Sequence, residues 1–342
     1  MKSKSSNEDS LSIVGHKISV SVVVPVYNSQ MYIAKSLSSL LEQTLDDIEI
    51  IIINDGSTDD SLSVIERVIE ECPQHNKTIR IINRGNKGVS YTRAEGTSLA
   101  SGEFIIHIDS DDWIEPTMLE DMYLKIVSDD ADVLICNYYM VMDDKEESVK
   151  QKADINKYNC ITNILLGNMQ GFTWNKLIRR KLIIENEITF NVELNYLEDV
   201  VFIIQVLKIA NKISFIDKSL YHYRRDNPNS LTSKIDEVKI NNVVNAINFI
   251  EFFLLENIAE ISFAKPLNKF KLTQKVWFLS QSKMSSNNIS WNMFQKDKLP
   301  IIDSDIRFYY KLILVLHNIG YHYLAKKILY IIGYIQVKMK GR

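Results

Sequence analysis

The sequence predicts an α/β fold, an open and mostly parallel sheet flanked by helices, followed by a helical C-terminal region. Three observations predict it. From residue 18 to residue 108, apolar β-branched runs alternate with segments of helical periodicity. Polar and acidic residues stand directly after those runs. From residue 234 on, helical periodicity dominates.

Residues 18–26 (ISVSVVVPV) form a β-branched run suited to a strand buried on both faces. Residues 31–45 place Ile33, Leu37, Leu40 and Leu41 at helical spacing. Residues 48–53 read as a second buried strand, closed by the turn cluster Asn54-Asp55-Gly56-Ser57. Helical spacing returns over 61–71, a short strand follows over 79–82, and 90–100 is helical again. Residues 104–108 make a fourth strand, stopped by Asp109-Ser110-Asp111-Asp112. Sheets built this way bind ligands beyond the carboxyl ends of their strands. Here those ends carry Tyr27, Asn28, Asp55, Asp109 and Asp111. The pattern loosens over 115–230, and helices are expected over 240–255 and, broken near Gly320, over 308–340.

The chain has 342 residues, 46% apolar and 24% charged, ordinary values for a globular protein with a real core. A formal net charge of −3 argues against nucleic acid as a partner, which calls for a basic excess. Cys72, Cys136 and Cys160 lie far apart, without metal-ligand spacing, and read as reduced thiols. Residues 1–17 are polar and lack the apolar core of a secretion signal, so they are expected to form a flexible tail. No uncharged apolar run reaches the ~20 residues that span a bilayer.

Three segments can carry chemistry. In His107-Ile-Asp109-Ser-Asp111-Asp112-Trp113, three carboxylates crowd into four positions after a strand. Like charges this close repel, which a fold tolerates when a cation offsets them, and carboxylate oxygens suit Mg²⁺ or Mn²⁺. The plainer reading is an acidic turn capping the next helix. Asp55 can accept a hydrogen bond from a nucleobase N–H, while Ser57, Thr58 or Asp59 cap the following helix. Glu198-Asp199 sits beside an apolar segment, where partial desolvation makes an acid a candidate base. An ordinary acidic helix N-terminus is the alternative.

Taken in order, these residues resemble the family 2 glycosyltransferases, inverting enzymes of the GT-A fold and, in bacteria, of surface-polysaccharide synthesis. The resemblance rests on Pro25-Val-Tyr27-Asn28, Asn54-Asp55-Gly56-Ser57-Thr58-Asp59 and Asn86-Lys87-Gly88-Val-Ser90-Tyr-Thr-Arg93-Ala94. It continues through Asp109-Ser-Asp111-Asp112-Trp113, Trp174-Asn-Lys176-Leu177, Glu198-Asp199 and Tyr221-His-Tyr223-Arg224 with Ser230. It covers residues 18–232, and Glu95 departs from the family's usual Asn.

The resemblance implies a GT-A catalytic domain over 18–232, with a nucleotide-sugar half (18–115) and an acceptor half (116–232), before a helical region over 233–342. It implies donor binding, with uracil as the expected base, by Pro25, Tyr27, Asn28, Asp55, Lys87, Arg93 and Asp109. Asp111, with Asp109, would hold Mn²⁺ or Mg²⁺. Asp199 would be the general base, with Trp174 and Glu198 on the acceptor side. Lys176, Tyr223 and Arg224 could approach the diphosphate or a closing loop, and His222 is expected to point to solvent. The expected partners are a nucleotide-sugar donor and a glycan or lipid-linked glycan acceptor, in O-antigen, capsule or exopolysaccharide synthesis.

Residues 308–342 combine aromatic and apolar residues with lysines. They read as a peripheral membrane contact, as helices packed on the catalytic domain, or as a homodimer contact. The expected location is the cytoplasm, at the inner face of the cell membrane if this segment meets lipid. A nucleotidyltransferase would carry a Gly-rich loop after the first strand, and residues 25–30 contain no glycine. A non-catalytic nucleotide-sugar or glycan binding module is disfavoured by the intact set Asp109, Asp111 and Asp199.

Overall fold

A computed structural model describes residues 17–72, 76–143, 145–227, 237–257, 263–281, 289–294, 297, 301 and 306–340. Residues 1–16 of the expected tail and Ser230 lie outside the described residues.

The first half runs β1 (Val20–Val26), α1 (Ile33–Leu41), β2 (Ile48–Asp55), α2 (Ser61–Glu71), β3 (Thr78–Arg84), α3 (Val89–Leu99) and β4 (Phe104–His107). Each element falls where the periodicity puts it. The second half adds β5 (Trp113–Ile114), α4 (Met118–Ser128), β6 (Val133–Met142), β7 (Lys145–Val149), α5 (Lys157–Leu166), β8 (Lys176–Arg179), α6 (Arg180–Glu185), α7 (Glu198–Ile209) and β9 (Ile213–Arg224). The chain then turns helical, with α8 (Glu237–Asn257), α9 (Ala264–Gln281), α10 (Ile289–Asn292), α11 (Phe308–Asn318) and α12 (His322–Lys340). Gly320, at φ +94°, makes the expected break between the last two.

Among the described residues one nine-stranded sheet runs β3-β2-β1-β4-β8-β6-β9-β5, with β7 on β6. The first four strands are parallel, so β1, β2 and β4 end on one edge. Past β4 the sheet becomes mixed: β8 is antiparallel to β4 and β6, and β5 is antiparallel to β9.

The β-branched runs follow from burial on both faces. Val22, Val24, Ile50 and Ile52 enter one core with α1 and α4, while Val23, Ile51 and Ile53 enter the other with α5 and α7. Each such side chain contributes about 1.5–3 kcal/mol when fully buried. The second core also takes Ile240, Val243, Ile247 and Leu254 of α8 and Phe270 and Phe278 of α9. These two helices therefore share that core, and packing continues across residue 233. A separate cluster holds α11 and α12 against Leu272, Leu279 and Trp291.

Candidate active site

The donor side is built on Asp55, the buried last residue of β2. Its Oδ1 accepts the Lys87 N–H (2.8 Å) and an Arg84 Nη1 donor, and its Oδ2 accepts the Gly88 N–H (2.9 Å). A carboxylate has about four lone-pair sites, so Oδ2 keeps one more acceptor position. Arg84 also donates through Nε to Glu95 (2.7 Å), which gives the departure from the family pattern a local partner. The Lys87 side chain is exposed, its ammonium 3.2 Å from the Tyr91 hydroxyl. Pro25 lies in β1 beside Ile53, and Tyr27 follows with half its surface exposed.

Asn28 takes a left-handed backbone (φ 49°), which its residue type tolerates. Its Oδ1 accepts the Thr58 N–H at 2.8 Å, and its own N–H donates to Ser57 Oγ at 3.0 Å. The Asn28 side-chain oxygen thus ties two loops of this site together. Gly56 is also left-handed (φ +72°), and a Cβ there would lie 2.5 Å from the Asn86 backbone nitrogen. A Gly56→Ala substitution is expected to cost about 1–3 kcal/mol of stability. Urea unfolding checks this, and a wild-type midpoint would remove the steric argument.

The acidic turn sorts its three carboxylates by environment. Asp112 is buried and occupied, accepting the Tyr221 hydroxyl (2.6 Å) and the Arg224 N–H (2.7 Å). Burial, with Asp111 and Asp109 adding to it, pushes its carboxyl well above the usual range. Asp109 accepts Arg93 Nη2 at 2.7 Å. Asp111 accepts Asn227 Nδ2 at 2.7 Å, and its carboxyl is pushed up by burial and then by the Asp109 charge.

Arg93, on α3, joins this turn to the other acidic motif. Buried, it pairs with Asp109 on one side and with Glu198, the first residue of α7, on the other. Glu198 thus spends one carboxylate oxygen, Oε1, on Arg93, which holds carboxylates on both sides. Asp199 comes next, with Oδ1 accepting the Val200 N–H at 2.7 Å. Burial first, and the Glu198 charge second, raise its carboxyl to about 7. Leu197 precedes both acids in a left-handed conformation (φ 61°), which costs a leucine about 1–2 kcal/mol.

Beneath the site lies an aromatic floor. Trp174 is 2% exposed, with rings stacked at 4.1 Å (Tyr221) and 4.9 Å (Phe172). It has no face left for a sugar, which corrects its acceptor-side assignment. Lys176 is fully buried, its ammonium donating to Gln170 O, Phe172 O and Asn175 Oδ1 at 2.7–2.8 Å, and burial lowers it to about 7. It holds the loop under the site and makes no approach to a diphosphate. His222 is not at the solvent. It stacks between Trp113 and Tyr139, 4.9 Å from each, with Nε2 2.8 Å from Glu115. Alternation along β9 fails here because its cross-strand neighbours on the same face, Trp113 of β5 and Tyr139 of β6, enclose the ring. Sequence reasoning left Tyr221 and Asn227 without roles; their only signal was position within and just after the Tyr-x-Tyr-Arg segment.

The donor set fits a divalent cation. Asp111 and Asp109 are neighbouring carboxylates whose mutual repulsion a cation offsets. No group of three acidic, His or Cys side chains forms a ready cage among the described residues.

A family model for glycosyl transferase family 2 matches residues 21–186. The chain is 39% identical over 212 residues to the putative glycosyltransferase EpsH of Bacillus subtilis, a match covering 60% of each protein. It is 31% identical over 300 residues to the cholesterol galactosyltransferase of Borreliella burgdorferi, covering 82% of this chain and 79% of that one. Its fold is similar to the crystal structure of TarS 1–349 from Staphylococcus aureus in complex with UDP-GlcNAc. That likeness has a TM-score of 0.67 at 23% identity and covers 94% of this chain and 92% of the other. TarS is a poly(ribitol-phosphate) β-N-acetylglucosaminyltransferase.

Proposed function

The chain belongs to glycosyl transferase family 2 and has the GT-A fold, and from that premise we propose that it transfers a sugar from a UDP-sugar to an acceptor hydroxyl with inversion. The observation that carries the reading is Arg93. It binds Asp109 and Glu198, residues 89 positions apart in sequence, and so makes one site of the two acidic motifs. The UDP-GlcNAc bound by the TarS structure supports uridine as the base. The acceptor we propose is a glycan or lipid-linked glycan of bacterial surface-polysaccharide synthesis. The relatives' names, a sterol transferase and a poly(ribitol-phosphate) transferase, support a lipid or polymer acceptor. Free thiols at Cys72, Cys136 and Cys160 support a cytoplasmic location.

In this mechanism Tyr27 and Pro25 flank the base, and Asp55 accepts its N–H on the remaining lone pair of Oδ2. Lys87 meets the donor at the rim, and Asp109 contacts the ribose. Asp111, with Asp109, would hold Mn²⁺ or Mg²⁺, which when bound offsets charge on the departing diphosphate. Asp199 takes the proton of the acceptor hydroxyl as that oxygen bonds to the anomeric carbon and the bond to the diphosphate oxygen breaks. Burial and the Glu198 charge keep this base at its raised pKa, against the pull of Arg93.

The test is release of nucleoside diphosphate from a panel of nucleotide sugars, with and without Mn²⁺ or Mg²⁺. Metal-dependent release from one donor is expected. Asp111→Ala is expected to lower it by roughly 10²–10³-fold, the loss that follows removal of one preorganised charge-stabilising group. Calorimetric titration with UDP and metal runs alongside, and no UDP binding would overturn the reading.

A further inference from the structure

The two last helices present a surface that catalysis does not use. The inner sides of α11 and α12 are consumed by packing: Ile313, Leu314 and Ala325 are buried against Trp291, Leu272 and Leu279. The outer side of α12 is exposed at Tyr323, Leu324, Lys327, Tyr330 and Ile331. These positions, at i, i+1, i+4, i+7 and i+8, form one helical stripe. Tyr323 keeps 81% of its surface open, and the turn before α12 adds exposed Ile319 and Tyr321. Aromatic and aliphatic groups gathered in one exposed patch call for a partner.

Charge identifies the partner. From Arg307 to Arg342 the chain carries seven lysines and arginines and no aspartate or glutamate, although its overall formal charge is −3. The acidic excess therefore lies wholly elsewhere. A protein–protein interface is depleted in lysine at its centre, whereas Lys327 stands in the middle of the α12 stripe. Tyrosine with a buried ring and wetted hydroxyl, beside lysine, is the composition of a lipid–water boundary. The contact is peripheral. α8 is the only described helix with the length and apolarity of a membrane span, and its Ile240, Val243, Ile247 and Leu254 are already in the core.

We propose that the α11–α12 face docks on an anionic lipid bilayer. The proposal stands on surface chemistry alone and is tested without donor or turnover. The full chain is sedimented with phosphatidylcholine vesicles, with and without phosphatidylglycerol, over a salt series. Binding is expected only to the anionic vesicles and is expected to fade as salt rises. Lys327→Gln should weaken it roughly fivefold, and Tyr323→Ser and Tyr330→Ser each about tenfold. All three positions are exposed, so UDP binding and the unfolding midpoint should stay at wild-type values. Equal binding to both vesicle types, or to neither, overturns the proposal. A concentration-dependent dimer abolished by the same substitutions assigns the face to a second copy and overturns it too.

Discussion

Asp199→Asn is expected to lower turnover by roughly 10²–10⁴-fold, the usual contribution of a positioned general base, while leaving the UDP dissociation constant unchanged. Asparagine keeps the shape and the contact to the Val200 N–H but has no basic oxygen. The pH profile supplies a second signature. Burial and the adjacent Glu198 raise the Asp199 carboxyl to about 7, and only the ionised form accepts a proton. Activity should therefore fall about tenfold for each pH unit below about 7 and level off above it. Stability moves the other way. The folded carboxyl holds its proton more tightly than an unfolded one, with a pKa of about 3.9. Its contribution is full below that value and is lost as pH rises through about 7. At alkaline pH the asparagine variant should thus be at least as stable as the wild type. Initial rates with the active donor across pH, together with urea unfolding, measure both. Wild-type turnover in the variant would remove Asp199 from the chemistry.

Arg93→Met is expected to destabilise the fold by about 3–5 kcal/mol, the cost of leaving a buried ion pair half made. Glu198 lies 9% and Asp109 26% exposed at the side chain, and both lose their cation in this variant. Burial already lifts the Glu198 carboxyl against the pull of Arg93. Methionine leaves it to ionise alone or to take a proton. Pairing the change with Glu198→Gln should restore a large part of the stability, because the uncompensated charge is then gone. Activity should stay low in both, since the acidic turn and α7 are no longer held together. Urea unfolding of wild type, both single variants and the double variant forms the cycle that reads the coupling. Simple additivity would mean that Arg93 does not couple the two motifs.

Much of the first half was legible because its signals are local. β1, β2 and β4 are runs of alternating side chains buried on both sides, so their residues are apolar almost without interruption. The turn clusters after them followed directly, which placed Asp55, Asp109 and Asp111 at one sheet edge before any coordinates. The second half was less legible. β5 has two residues and β8 four, too few to show a period, and β6 and β9 pair in parallel through a register shift. His222 illustrates the consequence: alternation on β9 suggested solvent, but Trp113 and Tyr139 come from other strands to cover the ring.

By itself the sequence determined the strand and helix order of the nucleotide half, the helical C-terminal region and the identity of the acidic motifs. All of these are written in periods of about 2 and 3.6 residues and in turn composition. Only the tertiary structure decided which of those groups remain available. Asp112 is taken by Tyr221 and by the backbone of Arg224, Glu198 by Arg93, and Trp174 by the aromatic rings around it. The two partners of Asp112 lie 109 and 112 positions away, and Arg93 lies 105 from Glu198. The physical reason is range: a hydrogen bond or ion pair depends on separations of about 3 Å, and sequence distance does not encode them.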